Sequence, residues 1–427
     1  MQNDRTRSPF SLYPFAALIA ALSCSLVLNA ADGFQPIPQS ELPDFNAELE
    51  QKVTKSGRVH LSGYMATVNV MEFSAESLEG TREIKLKKDL TGFREDFKVR
   101  AKWHEGSAPL TVILLGVYGK ANGKLGKHWQ KLAYRFGSHV MCFDSIFRHD
   151  VNKRTLHGIP GNLKAEAKTI AKIVNLALDQ REDKEGQPFR SKVTSVRLIG
   201  TSYGGTLALH LVQTEEAKSW PVDRCLAISP PPSMRSTAEL VEQFRQVDLP
   251  KYGGDLMKLL DGYTPKNDMP SEKEEGLVRA GIAYVFNNGL KNVVKESEKR
   301  YMEGYRDQLK KEEKRIEEET GHEPKPKMSD FKNWSFDDFV NRMAAPYWKV
   351  SADELWSYGD LEPLLDAAPA FAQVVICADD PMAKPEDIQA LKARFSEPRL
   401  IVLPHGGHMG YCGTKWIKSL IWQTVRP

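Results

Sequence analysis

Ser202 lies within Gly200-Thr201-Ser202-Tyr203-Gly204-Gly205. The stretch Val196-Arg197-Leu198-Ile199 before it reads as a buried strand, and residues 206–212 after it read as a helix. A serine on such a strand-to-helix turn projects its hydroxyl outward, and the bend is sharp enough that the residues two before and two after it must be small. Gly200 and Gly204 meet that need. The turn also places Ser202 at a helix N-terminus, where free N–H groups favour negative charge. Gly-x-Ser-x-Gly is a weak signal by itself. The strand and helix flanking it give it weight as a nucleophile that attacks a carbonyl.

A serine hydroxyl needs a base to take its proton, and the base needs a carboxylate to orient it. Asp379-Asp380-Pro381 follows the apolar run 371–378, and His405-Gly406-Gly407-His408 follows the apolar run 399–403. The order serine, acid, histidine, each at a strand end, is a working one for this chemistry. Asp379 and Asp380 are adjacent, so both cannot point at one histidine; either could instead be a turn residue that caps the following helix. His408, after two glycines, has room to reach the serine, whereas His405 reads as support for the loop. A zinc site at this pair lacks a visible third ligand. An oxyanion would need two N–H donors: the backbone of Tyr203, next to the serine, and that of Val117, after Gly116 at the end of the apolar run 110–115. The Tyr203 side chain then either lines a substrate pocket or packs half-buried.

The surrounding pattern predicts elements able to hold these residues. Residues 32–57 read as an extended or loosely ordered lead-in. Residues 58–73, and stretches within 82–103, alternate polar and apolar side chains as antiparallel strands at a sheet edge do. Beyond them come continuous apolar runs at 110–115, 139–143, 196–199 and 225–229. A helical pattern over 161–180 carries Ala167, Ile170, Ala171, Val174, Ala177 and Leu178 on one face. Pro230-Pro231-Pro232 closes the first block, the runs at 371–378 and 399–403 resume it, and 415–425 reads as a closing helix. Strands alternating with helices imply an α/β fold: a mostly parallel sheet, antiparallel at its N-terminal edge, with helices on both faces. Residues 233–335 interrupt this alternation as a mostly helical insertion placed where a cap would sit. Its charged part, 291–319, has a narrow stripe of Met302, Tyr305, Leu309 and Ile316 and ends near Gly321 and Pro324. It reads as a solvated helix pair, since the stripe is too short for sustained heptads.

Composition narrows the function. The chain has 427 residues, 41% hydrophobic and 27% charged, with a formal net charge of +3, which gives no sign of nucleic-acid binding. Arg5 and Arg7, the apolar run 15–28 and Asn29-Ala30-Ala31 have the layout of a signal peptide over 1–30, with no membrane span expected after its removal. The apolar run is about 14 residues, short of the roughly 20 a span needs. An uncleaved anchor, or a lipid on Cys24, would instead tether the protein. Cys142, Cys225 and Cys377 lie in apolar runs and, with Cys412, read as buried thiols; Cys377 with Cys412 is the best pair if a disulfide exists.

The chain resembles the α/β-hydrolase superfamily, and within it the YheT-like, embryogenesis-associated esterases. Leu115-Gly116-Val117-Tyr118-Gly119 is similar to that branch's His-Gly-x-x-Gly loop, with Leu115 in place of the histidine. Phe336-Asp337-Asp338-Phe339 through Ala345-Pro346, and Asp360 to Leu365, resemble the segment before the acid-bearing strand. Asp379-Asp380-Pro381 and Gly406-Gly407-His408 complete the likeness, which spans 100–232 and 330–427. The resemblance implies Ser202 as nucleophile, Asp380 as acid and His408 as base, with 31–100 as lead-in and N-terminal strands, 101–232 and 336–427 as core, and 233–335 as cap. It implies a serine hydrolase acting on a small-molecule or lipid ester through an acyl-enzyme, without a cofactor or metal; the signal-peptide pattern, a departure from that branch, adds the expectation of a secreted or periplasmic location. An acyltransferase or thioesterase would use the same residues, and a non-catalytic binding protein could keep the fold.

Overall fold

The computed structural model describes residues 35–48, 66–67, 78–91, 93, 95–148, 151, 159–180, 187–252, 275–298 and 334–427. Eight strands form one sheet: β1 Arg82–Leu86, β2 Phe97–Lys102, β3 Ala108–Leu114, β4 His139–Phe143, β5 Val193–Thr201, β6 Val222–Ile228, β7 Ala372–Cys377 and β8 Leu400–Leu403. Their order is β1-β2-β4-β3-β5-β6-β7-β8. β1 pairs antiparallel with β2, and β2 with β4; all later pairs are parallel. Every residue of β3, β4 and β7 is buried, as expected for parallel strands covered on both faces. β2 instead alternates buried Phe97, Val99 and Ala101 with more exposed neighbours, the mark of a strand covered on one face.

Helices cover the sheet on both faces. Lys124–Arg135 packs against Lys415–Val425, and Leu163–Gln180 against Tyr203–Leu211, which also meets Leu361–Ala367. The described parts of 233–335 are helical: Met234–Val247, Leu249–Tyr252 and residues 275–298. The charged stretch beyond residue 298, with Gly321 and Pro324, lies outside the described residues, as do the proposed signal peptide and Cys24. Residues 336–348 form one helix with a π-turn at Val340–Ala344, where the Ala345 N–H reaches back to the Val340 carbonyl. Pro346 follows directly and has no N–H to continue the usual ladder.

Two N-terminal expectations change. Of the strand expected over 58–73, only Ala66 and Thr67 are described, and they are helical. The lead-in is more ordered than its composition suggests. Ile37, Leu42 and Phe45 are buried, Phe45 meeting the Trp416 ring edge-on at 5.6 Å. Gln373 donates to the Ile37 carbonyl at 2.6 Å, and Glu48 accepts the N–H groups of Lys415 and Trp416 at the start of the closing helix. A carboxylate there satisfies orphan donors and complements the helix dipole. Cys142, Cys225, Cys377 and Cys412 are buried thiols.

At the turn after β5, backbones cross with no room for a side chain. A Cβ on Gly200 would lie 2.1 Å from the Gly204 carbonyl oxygen, and one on Gly204 would lie 2.3 Å from that of Leu114. Neither neighbour is a side chain that could swing away. Gly204→Ala should therefore lower unfolding stability by about 3 kcal/mol or more, at the upper end for overpacking, read as a fall in the urea midpoint. An unchanged midpoint would mean that the turn relaxes freely.

Candidate active site

Four strands of the parallel sheet end on one side, and each delivers one part of the site. β5 ends at Thr201, and Ser202 follows with φ 52° and ψ −127° before the helix from Tyr203 to Leu211 begins. That is a strained conformation for a residue with a side chain. It is held by the Ser202 N–H donating to the Ile228 carbonyl at 2.8 Å and by the Gly205 N–H donating to the Ser202 carbonyl at 2.7 Å. β7 delivers Asp379 and Asp380, β8 delivers His405 and His408, and β3 delivers the loop of Gly116, Val117 and Tyr118.

Ser202, His408 and Asp380 stand in a chain of hydrogen bonds. The Ser202 Oγ is 3.0 Å from His408 Nε2, and His408 Nδ1 is 2.9 and 3.1 Å from the two Asp380 carboxylate oxygens. With the proton on Nδ1 donated to Asp380, Nε2 is left free to accept the serine proton. The Met382 N–H donates to Asp380 Oδ1 at 2.8 Å, which fixes the carboxylate in turn. All three residues are less than a tenth exposed. Each therefore sits in a largely dry environment where charge interactions are stronger than in water.

The two neighbouring carboxylates are used differently. Asp379 accepts the N–H groups of Gly406 at 3.2 Å and Gly407 at 2.9 Å, so it clamps the loop that carries His408. Burial raises its pKa, opposed by those two bonds. His405 is exposed, 3.8 Å from Asp379, and its carbonyl accepts from the Cys377 thiol. Two further residues hold the same loop. Thr67 Oγ1 accepts the His408 N–H at 2.8 Å, and Ser229 Oγ accepts the Met409 N–H at 3.3 Å. Sequence alone offers no signal for Thr67, which is 341 positions from its partner. Ser229 does carry one in hindsight: it ends an apolar strand run just before Pro230.

Gly116 abuts Ser202 so closely that a Cβ there would lie 3.0 Å from the serine Cβ and 3.4 Å from its Oγ. The Val117 loop is thus beside the hydroxyl, and Tyr203 opens the helix whose first N–H groups have no partner within it. The Tyr203 side chain is buried. Its hydroxyl donates to Glu166 Oε2 at 2.6 Å, and its ring meets Phe147 edge-on at 5.0 Å. Glu166 Oε1 accepts the Gly161 N–H at 2.7 Å. Next to this pair lies an apolar cavity, lined among others by Val117, Phe147, Tyr203, Val241, Phe286 and Trp356. Among the described residues, none that lines it is charged. Among the described residues, no group of three or more His, Cys, Asp or Glu is placed to hold a metal ion, and no helix is long and apolar enough to cross a membrane.

A family model described as the alpha/beta hydrolase family matches residues 126–411, more than half of the chain. No curated protein matches it. Among solved structures, the chain is similar to a bacterial membrane phospholipase A at 13% identity and a TM-score of 0.41, covering 97% of this chain and 96% of that one. It is similar to an esterase of Pyrococcus furiosus at 13% identity and a TM-score of 0.40, covering 83% and 92%. It is also similar to naproxen esterase from Bacillus subtilis at 12% identity and a TM-score of 0.40, covering 85% and 95%.

Glu166 gives the site a measurable pH signature. Burial pushes its carboxyl up to about 7 from an ordinary 4.5, against the two hydrogen bonds it accepts. The folded state therefore keeps a proton that the unfolded chain releases, and the stability this contributes is lost as pH rises through about 7. Glu166→Gln, which keeps an acceptor but cannot ionise, should flatten the fall in unfolding free energy between pH 4.5 and about 7. Urea titrations across that range measure it, and an unchanged slope in the variant would assign the pH dependence elsewhere.

Proposed function

We propose that this chain, which belongs to the alpha/beta hydrolase family, is a serine hydrolase that cleaves carboxylic esters through an acyl-enzyme on Ser202. The observation that carries the proposal is the hydrogen-bonded chain from Ser202 through His408 to Asp380, built on a strained turn at the end of a parallel strand. His408 would take the serine proton as Ser202 attacks the ester carbonyl, and Asp380 would hold the imidazole and stabilise its charged form. The N–H groups of Val117 and Tyr203 would receive the developing oxyanion. His408 would then protonate the leaving alcohol, and a water activated by the same base would release the acid.

The cavity bounded by Val117 and Tyr203 supports an uncharged, apolar acyl group, because its described lining offers no charged side chain to pair a buried charge. Residues 233–335 would act as a cap: Met234, Thr237, Ala238 and Val241 from one of their helices, and Phe286 from another, form part of the cavity wall. The loop from Leu115 to Gly119 and the Asp-Asp-Pro and Gly-Gly-His segments favour the YheT-like esterase branch. The pattern over residues 1–30 favours a secreted or periplasmic location.

A fluorophosphonate should label Ser202 and no other residue, and Ser202→Ala should abolish the labelling; labelling that persists would end the assignment. Asp380→Asn should lower kcat by about 10⁴, through loss of the correct histidine tautomer. Asp379→Asn keeps an acceptor for one of its two N–H partners and should cost about tenfold or less. The reverse order of damage would exchange the roles of the two carboxylates.

Acyl preference tests the cavity. Nitrophenyl esters of uncharged acyl groups should exceed the matching ω-carboxylate esters in kcat/KM by at least about a hundredfold, given the cost of burying an unpaired charge. Equal rates would show that the acyl group binds elsewhere.

A further inference from the structure

Tyr118 and Gly289 each stand in an unfavourable local position, and they touch. Tyr118 has φ 59°, the left-handed region, which costs a residue with a side chain roughly 1–2 kcal/mol. Gly289 lies inside the helical stretch 275–298, where glycine costs about 1 kcal/mol relative to alanine. The contact accounts for both. A Cβ on Gly289 would lie 2.0, 2.3 and 2.4 Å from Cζ, Cε2 and Cε1 of the Tyr118 ring, so the ring lies against the bare backbone of the helix. The Tyr118 hydroxyl donates to the Phe286 carbonyl, one turn earlier in that helix, at 3.2 Å. The Phe286 and Phe147 rings meet Tyr118 edge-on at 6.0 and 6.4 Å.

The rest of this loop is anchored to the core. The Gly119 N–H donates to the Gly116 carbonyl at 2.9 Å, and the Ser145 N–H donates to the Gly119 carbonyl at 3.0 Å. Gly116 is pressed against Ser202. The apex, Val117 and Tyr118, is where the insertion takes hold. Tyr118 reaches from the core loop into the insertion helix, 168 positions away along the chain.

We propose that Tyr118 is a positioning residue that latches the Val117 loop to the helix 275–298, so that the Val117 N–H is set beside Ser202 only while that helix is docked. This rests on the reading of Val117 as an oxyanion donor. The ring does not touch substrate. It fixes the direction of the preceding peptide, and the glycine is the socket that admits it. Docking of the insertion thereby becomes a condition for stabilising the transition state, in addition to enclosing the substrate.

The full-length protein with Gly289→Ala tests this. The added methyl should expel the ring although alanine favours the helix. We expect kcat on a short uncharged ester to fall about a hundredfold, the scale of losing one oxyanion donor, with KM changed by less than about threefold. Tyr118→Gly should give a similar loss while relieving its own φ penalty. Adding Gly289→Ala to Tyr118→Gly should cost nothing more, because the ring is already gone. If Gly289→Ala does not fold, Tyr118→Gly decides alone. A folded single variant with wild-type kcat, or losses that multiply in the double variant, would overturn the latch. Amide hydrogen exchange at Gly119, whose N–H closes the turn over Val117 and Tyr118 on the Gly116 carbonyl, gives a reading independent of turnover. It should speed up at least about tenfold in either variant as local protection is lost, and unchanged exchange would overturn the proposal. A wild type that neither hydrolyses esters nor takes the fluorophosphonate would defeat the hydrolase reading, while the exchange measurement would still decide the latch.

Discussion

The close crossing of backbones at Gly200, Gly204 and Leu114 is the constraint from which the rest of the site follows. β5 must end, reverse into a helix and leave Ser202 at φ 52°, all within contact distance of the end of β3. Such a turn is strained, and it persists because the sheet and the helix that follows over-determine it. β5 is buried at its C-terminal end between β3 and β6, paired residue by residue on both sides. The strain is thus held by a strand buried at this end and paired on both sides. Its consequence is that Gly116, in the loop after β3, meets the serine side chain itself.

The histidine loop is held by many small interactions instead of one strained turn. Asp379 takes two backbone N–H groups, Thr67 takes a third and Ser229 a fourth. These bonds come from three separate parts of the chain and converge on four consecutive residues, 406–409. A loop fixed in this way has little freedom left to lose, which is the physical content of preorganisation. Asp380 is fixed in the same manner, by the Met382 N–H on one of its oxygens.

Polar and apolar functions are spatially divided. The hydrogen-bonded chain runs along the ends of β5, β7 and β8, whereas the cavity extends beneath the helices of the insertion and the helix 336–348. Tyr203 joins the two. It follows the serine in sequence, lines the cavity with its ring and ends on the buried Glu166 carboxyl. Its polar tip on an apolar body suits a boundary between a polar site and an apolar pocket. Tyr118, next to Val117, instead reaches the helix 275–298 at Gly289.

Much of this was legible from short-range pattern. Continuous apolar runs located the parallel strands, with 139–143 and 415–425 matching observed elements end to end, because burial on both faces leaves a signature in consecutive residues. The glycines around Ser202 marked a turn that only small residues permit. Patterning could not choose between Asp379 and Asp380. The two are adjacent and equally acidic, and only the direction in which the chain leaves β7 turns one to the His408 ring and the other to the Gly406 and Gly407 amides. Nor could it find Thr67, the docked lead-in around Phe45, the Glu166–Tyr203 bond or the Gly289 socket. Each is a contact between residues tens to hundreds of positions apart, and local propensity carries no record of which distant surface a side chain will meet. At Tyr118 and Gly289 local preference points away from the observed structure, and the contact between them is what reverses it.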